Sequence, residues 1–280
     1  INSYLDVPSE ALADDFDDLI FAGSQLSHNI LGSIETLNSF TSDTCRNWLK
    51  EMFVPSRMTL FYLGATDPDR VFDTLGRHFS ALKTGTPDRL NRVAPDSWPE
   101  FDQIRDIDSH QSHTMLGAPT VSLYSPLRQA HALLTNIIGG PGMNSLLNIE
   151  LREKRGLVYS ADAASTAFTD CGLTTIYFGC DDSDTLECRA ITRQILDNLA
   201  ENPIDPLQLE RAKRQLAGQM IIASESHDAM ALSAGRSLLR FGAVMTLRER
   251  TERLMSVTPE QVAEAASQIC SKNLRELTFC

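Results

Sequence analysis

The run Ile138-Gly139-Gly140-Pro141-Gly142-Met143-Asn144-Ser145, continuing to Leu151-Arg152-Glu153-Lys154-Arg155-Gly156-Leu157-Val158-Tyr159, constrains the fold more than any other part of the chain. Glycines around a single proline leave a backbone with few side chains in its way, so a second chain can approach closely. Asn144 or Ser145 is placed to cap a short helix whose Leu146, Leu147, Ile149 and Leu151 form its apolar side. Arg152 and Tyr159 then stand at the entry to a strand. A plain helix C-cap and turn accounts for one or two of the glycines, and less well for Gly139, Gly140 and Gly142 together with Pro141.

With 280 residues and 42% hydrophobic content, the chain can bury one large core or two smaller ones. A net charge of −12 argues against nucleic acid and anionic membrane as partners, since both need clustered Lys and Arg. The acidic run Asp14-Asp15-Phe16-Asp17-Asp18 is read as the solvent face of a helix whose other face carries Leu12, Phe16 and Leu19. Cys45, Cys171, Cys180, Cys188, Cys270 and Cys280 form no C-x-x-C pair, and are expected to be reduced thiols in a cytoplasmic protein. No apolar run approaches the roughly 18 residues of a membrane span, and no signal peptide is recognisable. The chain starts Ile1-Asn2-Ser3 without an initiator Met, and is read as a fragment or a processed product.

Helical spacing predicts helices over 11–22, from a Ser42-Asp43 cap to Phe53, from Asp67-Pro68 to Phe79, and over 127–138, 186–199 and 206–221. A last helix is predicted from Thr258-Pro259-Glu260. Strands are expected at 58–63, 119–124, 157–165, 172–179 and 274–279. Residues 84–101, broken by Gly85, Pro87, Pro95 and Pro99, lack periodicity and read as a linker. Ser42, a helix and the 58–63 strand parallel Thr258, a helix and the 274–279 strand, at an offset of 216 residues. Such a weak duplication predicts a first repeat beginning about 110 residues before Ile1.

These features resemble the zinc peptidases of the pitrilysin/insulinase family, in particular the mitochondrial processing peptidases. The likeness is carried by Met115-Leu116-Gly117, the glycine turn, Leu151 to Tyr159, Gly172-Leu173 and Gln208 to Gln215. Ser27-His28-Asn29-Ile30-Leu31-Gly32 and Pro55 to Gly64 are similar to the end of the family's first domain. The resemblance implies an α+β fold of two related domains, each a mostly antiparallel sheet with helices packed on one face. Residues 1–84 would then be the end of an incomplete first domain, 85–105 a linker, and 106–280 a complete, inactive, substrate-gripping domain. Arg152 and Tyr159 match the family's pair that orients the substrate backbone. A guanidinium and a phenol can both bond carbonyl oxygens and stabilise charge developing there. Gly139, Gly140, Gly142, Asn144 and Ser145 match the substrate-binding loop.

Zinc is implied for the intact parent and for no site in this chain, which holds neither His-x-x-Glu-His nor His-Glu-x-x-His. The helix equivalent to the family's zinc helix reads His131-Ala132-Leu133-Leu134-Thr135, and Ile1-Asn2-Ser3-Tyr4 resembles the segment just after the family's third zinc ligand. His110 and His113, three apart on a strand, face opposite sides and are read as a polar strand edge. No G-x-S-x-G elbow supports a serine hydrolase. The reading is therefore a portion of a zinc metalloendopeptidase that binds and positions peptide and is inactive alone. Its partners are peptide or unfolded protein and an upstream zinc-bearing half-domain or partner subunit, with a homo-oligomer allowed. The alternative is a non-catalytic binding or scaffold subunit of the same family.

Overall fold

The computed structural model describes residues 7–82 and 93–280. Ile1–Tyr4 and the Gly85–Arg92 part of the expected linker lie outside the described residues. Two compact units are distinguished, one of residues 1–32, 92–216 and 253–280, the other of residues 33–91 and 217–252.

The first unit is built on a mixed, mostly antiparallel five-stranded sheet. Its strands are β1 (Asp102–Arg105), β2 (Ser112–Thr120), β3 (Val158–Ala167), β4 (Gly172–Cys180) and β5 (Arg275–Phe279), in the order β1-β5-β2-β4-β3. Only β1 and β5 run parallel. One face carries Leu116, Ala118, Ile176 and Phe178 under the helices α5 (Arg128–Gly139), α6 (Thr185–Glu201) and α10 (Pro259–Gln268), all with buried apolar faces. Thr258 caps α10 in a reciprocal box with Gln261, as Thr258-Pro259 predicted. Glu276, on β5 and 1% exposed, takes Arg189 Nε at 2.5 Å and also Arg193. Arg189 forks onto both oxygens of Asp102 at 2.6 Å, tying α6 to β5 and β1.

The opposite face is covered by α1 (Pro8–Ile20), the first amphipathic helix of the sequence reading. Its Leu12, Phe16 and Ile20, with Phe21, bury against Met115, Leu173, Leu277 and Phe279. Phe16 meets Phe101 edge-on at 5.3 Å, and Phe21 stands between Trp98 and Phe168. Within the acidic run, Asp15 pairs with Arg105 at 2.5 Å and Asp14 accepts from Asn29.

The second unit contains α2 (Ile34–Ser39), α3 (Ser42–Met52), α4 (Pro68–Phe79) and α8 (His227–Phe241), with helices α7 (Pro206–Ser224) and α9 (Leu247–Met255) each running across a unit boundary. Asp67 caps α4 as expected, accepting from Asp69 and Arg70 N–H. The cap of α3 is Thr41 rather than Ser42.

Three expectations change. Residues 58–63 form no strand, because no described strand lies beside them to complete a ladder. Asp102–Arg105, expected in the linker, is a strand paired with Glu276–Phe279. The strand expected at 119–124 lies at 112–120 instead. Its buried Ser112 and Thr114 bond side chains of Asp182 and Thr278, so polar residues sit where apolar ones were sought.

The 216-residue offset relates helical elements along the chain, though not the 58–63 segment, which forms no strand. The one-turn helix Pro55–Arg57 matches Ser271–Asn273, and α3 matches α10.

Gly117 is where α1 meets the sheet, since a Cβ there would lie 2.8 Å from the Phe16 ring and 2.9 Å from the Thr174 carbonyl. Gly117→Ala is expected to cost about 1–3 kcal/mol by overpacking. Urea unfolding reads this as a lowered midpoint, and Phe16→Leu added to it should recover part of the loss.

Candidate functional site

Helix α5 ends at Gly139, and that residue touches β3 backbone to backbone. A Cβ on Gly139 would sit 2.5 Å from the Ala163 nitrogen and 2.7 Å from the Asp162 carbonyl carbon. The glycine turn is therefore pinned against β3, which is an outer strand of the sheet. Between them opens a cleft of about 380 Å³, lined by Gly139, Gly140, Pro141, Asn148, Arg152 and Tyr159 to Ala163.

Arg152 and Tyr159 each enter the cleft from a local irregularity. The helix after the turn widens over Asn148–Glu153, where Lys154 N–H reaches back five residues to the Ile149 carbonyl at 3.0 Å. Such π-type turns shift side chains off the regular helical face. Leu151 is buried, and Arg152 beside it is exposed. Gly156, at φ +68°, closes this helix by donating to the Arg152 carbonyl. The Arg152 guanidinium makes no hydrogen bond or ion pair with any described residue. Neighbouring Lys154 and Arg155 are instead both held by Glu150.

On β3, Val158 pairs with Cys180 and Ser160 with Gly179, which leaves Tyr159 as the extra residue of a bulge. A bulge re-aims the side chain it carries. Tyr159 is 59% exposed, and its hydroxyl donates to Asp181 Oδ1 at 3.0 Å. That hydrogen bond and the Asp181 charge hold the phenol above its ordinary pKa.

Of the loop residues singled out in the sequence, Gly139 and Gly140 line the cleft with Arg152 and Tyr159. Gly142, Asn144 and Ser145 are not among the residues that line it. The Asn144 amide exchanges two hydrogen bonds with Gln215 on α7, at 2.8 and 3.0 Å, and so braces the turn rather than capping the helix. Ser145 is 3% exposed; its hydroxyl accepts from Asn148 and its carbonyl from Ile149 N–H. Sequence reasoning missed Ser160 and Asp162. Asp162 is the one charged residue of β3, a detectable signal, and desolvation pushes its carboxyl up.

The described residues do not fit a zinc ion. His131 is 1% exposed and its Nε2 bonds Gln268 Oε1 at 3.1 Å, while burial lowers its pKa and keeps it neutral. Leu134 and Thr135 occupy the positions on α5 where further ligands would be needed, and Thr135 is spent on the His131 carbonyl. No group of three His, Cys, Asp or Glu among the described residues is placed to hold a metal. His113 stacks on Tyr177, with its Nδ1 2.8 Å from the phenol oxygen. No described helix is long and apolar enough to cross a membrane.

Known proteins share both the sequence pattern and this architecture. A family model described as the peptidase M16 inactive domain matches residues 39–216. A Streptomyces coelicolor protein named an uncharacterized zinc protease is 30% identical over 273 residues, covering 95% of this chain and 59% of that protein. A Bacillus subtilis protein named in the same way is 26% identical over 276 residues, covering 98% and 66%. The chain thus spans about three-fifths to two-thirds of the length of these relatives. The structure of a peptidase M16 inactive domain from Pseudomonas fluorescens superposes with a TM-score of 0.88 at 18% identity, over 99% of this chain and 66% of the other. A chain of complex III2 from Candida albicans gives 0.83 at 17% identity, over 99% and 68%. At such identities the likeness speaks for the fold.

Gly139→Ala is expected to push α5 off β3 and cost about 1–3 kcal/mol. Thermal unfolding checks the loss, and a variant as stable as the parent would contradict the contact.

Proposed function

Since this chain belongs to the family of the peptidase M16 inactive domain, we propose that it is the peptide-gripping portion of a zinc metalloendopeptidase and hydrolyses nothing by itself. The observation that carries the reading is the convergence of the glycine turn, Arg152, Tyr159 and the outer strand β3 on one cleft. An extended peptide laid along β3, the outer strand, would find main-chain partners on its outer edge. Arg152, with no partner among the described residues, offers donors to peptide carbonyls.

The remainder of the enzyme, including its zinc ligands, is proposed to come from an upstream half-domain or from a partner subunit. Support lies in the second unit. Trp48, Phe61, Phe72 and Leu239 are 40–60% exposed there, and residues 58–63 lack a neighbouring strand among the described residues. The same surface supports the second reading, a non-catalytic subunit completed by a zinc-bearing partner. The six cysteines form no disulfide, which supports a reducing, cytoplasmic setting.

The test is fluorescence anisotropy of a short, unstructured, fluorescein-labelled peptide with the 280-residue chain. Arg152→Ala should weaken binding about tenfold, the range of a lost charge-assisted hydrogen bond. Added zinc should produce no cleavage. Equal binding by Arg152→Ala, or zinc-dependent cleavage by the chain alone, would contradict the proposal.

A further inference from the structure

Tyr159 owns a single hydroxyl proton, and the structure directs it at Asp181 Oδ1, 3.0 Å away. What the phenol then offers the cleft is an oxygen with free lone pairs, made more electron-rich by its carboxylate partner. Asp181 does not hang on a loose loop. It comes directly after β4, and its carbonyl accepts from Asp184 N–H at 3.0 Å. The next residue, Asp182, accepts from the buried Ser112 hydroxyl at 2.8 Å. The backbone of Asp181 is thus anchored at the end of β4, while the bulge in β3 places Tyr159 within hydrogen-bond reach of its carboxylate.

Resting on the peptide-gripping role proposed above, we infer that Asp181 is a positioning residue that makes Tyr159 an acceptor for a peptide N–H, leaving Arg152 to supply the donors. The two side chains then read opposite polarities of one extended backbone, whose N–H and C=O groups alternate. A phenol without Asp181 would be free to donate to a carbonyl as Arg152 does, and the discrimination would be lost. The charged and titratable groups around the phenol are Asp181, Asp184 and Cys180, with Arg152 and Asp162 on the same cleft.

Two measurements on the full chain decide this. In the first, tyrosinate absorbance is titrated for the wild type, Asp181→Asn, and Tyr159→Phe, the last isolating one phenol among the five tyrosines. The Tyr159 phenol should ionise above the ordinary tyrosine range in the wild type and fall back towards it in Asp181→Asn. An unchanged titration would overturn the role of Asp181 whether or not any peptide binds. The second uses the labelled peptide as a series of singly N-methylated forms. At one position methylation should weaken wild-type binding about tenfold, as for a lost hydrogen bond. That penalty should shrink to about twofold or less in Tyr159→Phe, and in part in Asp181→Ala, where no side chain takes the phenol proton and the hydroxyl can turn to donate. Identical profiles in wild type and Tyr159→Phe would overturn the acceptor role while leaving peptide binding itself intact. Absence of binding by any form would remove the underlying role and this inference with it.

Discussion

The contact of Gly139 with the Asp162–Ala163 peptide is the constraint on which the rest of the site depends. Helix α5 can end against β3 only because no side chain stands between the two backbones. That contact fixes the glycine turn beside an outer strand and sets the width of the cleft. The Asn144–Gln215 amide pair then holds the far side of the turn to α7. Behind β3, the sheet is stiffened by the Glu276–Arg189–Asp102 network and by helices on one face and α1 on the other. Each layer serves to keep an otherwise exposed strand edge in a defined place.

Arg152 and Tyr159 share a feature that their spacing alone does not reveal. Each is the product of an inserted residue, one in a helix and one in a strand, and each insertion breaks the regular pattern locally. In a regular α-helix and a regular ladder the two side chains would follow the faces of their elements. The π turn and the bulge release them from those faces, which is how such irregularities come to be retained near sites of function. Glu150 removes Lys154 and Arg155 from competition, so the cationic partner offered to the cleft is Arg152.

Much of this was legible in the residues. Asp67-Pro68 and Thr258-Pro259 named their helices because caps act locally, within a few residues of the chain. The apolar periodicity of Leu12, Phe16 and Ile20 found α1, yet nothing in it told that the helix covers a sheet formed by residues more than eighty positions later. Strands were harder, since they depend on neighbours. Ser112 and Thr114 hid β2 because their polarity is satisfied by Asp182 and Thr278 across the fold. Asp102–Arg105 is a strand because β5 pairs with it, and 58–63 is none because no described strand does. For the cleft, glycines and the Arg-Tyr pair were readable, whereas the Asp181 partner and the bulge exist only once β3 and β4 have met. The duplication read at Ser42 and Thr258 holds for the capped helices and for the one-turn helices that follow them, and not for the strand, since 58–63 forms none.

A peptide held as proposed, along the edge of β3 beside the glycine turn, would shield the backbone amides there from solvent. Hydrogen–deuterium exchange of the full chain, with and without a saturating short unstructured peptide, reads that shielding most directly. New amide protection is expected to concentrate at residues 158–163, the first half of β3. Protection elsewhere with none on β3, or none at all at saturation, would contradict the proposed grip.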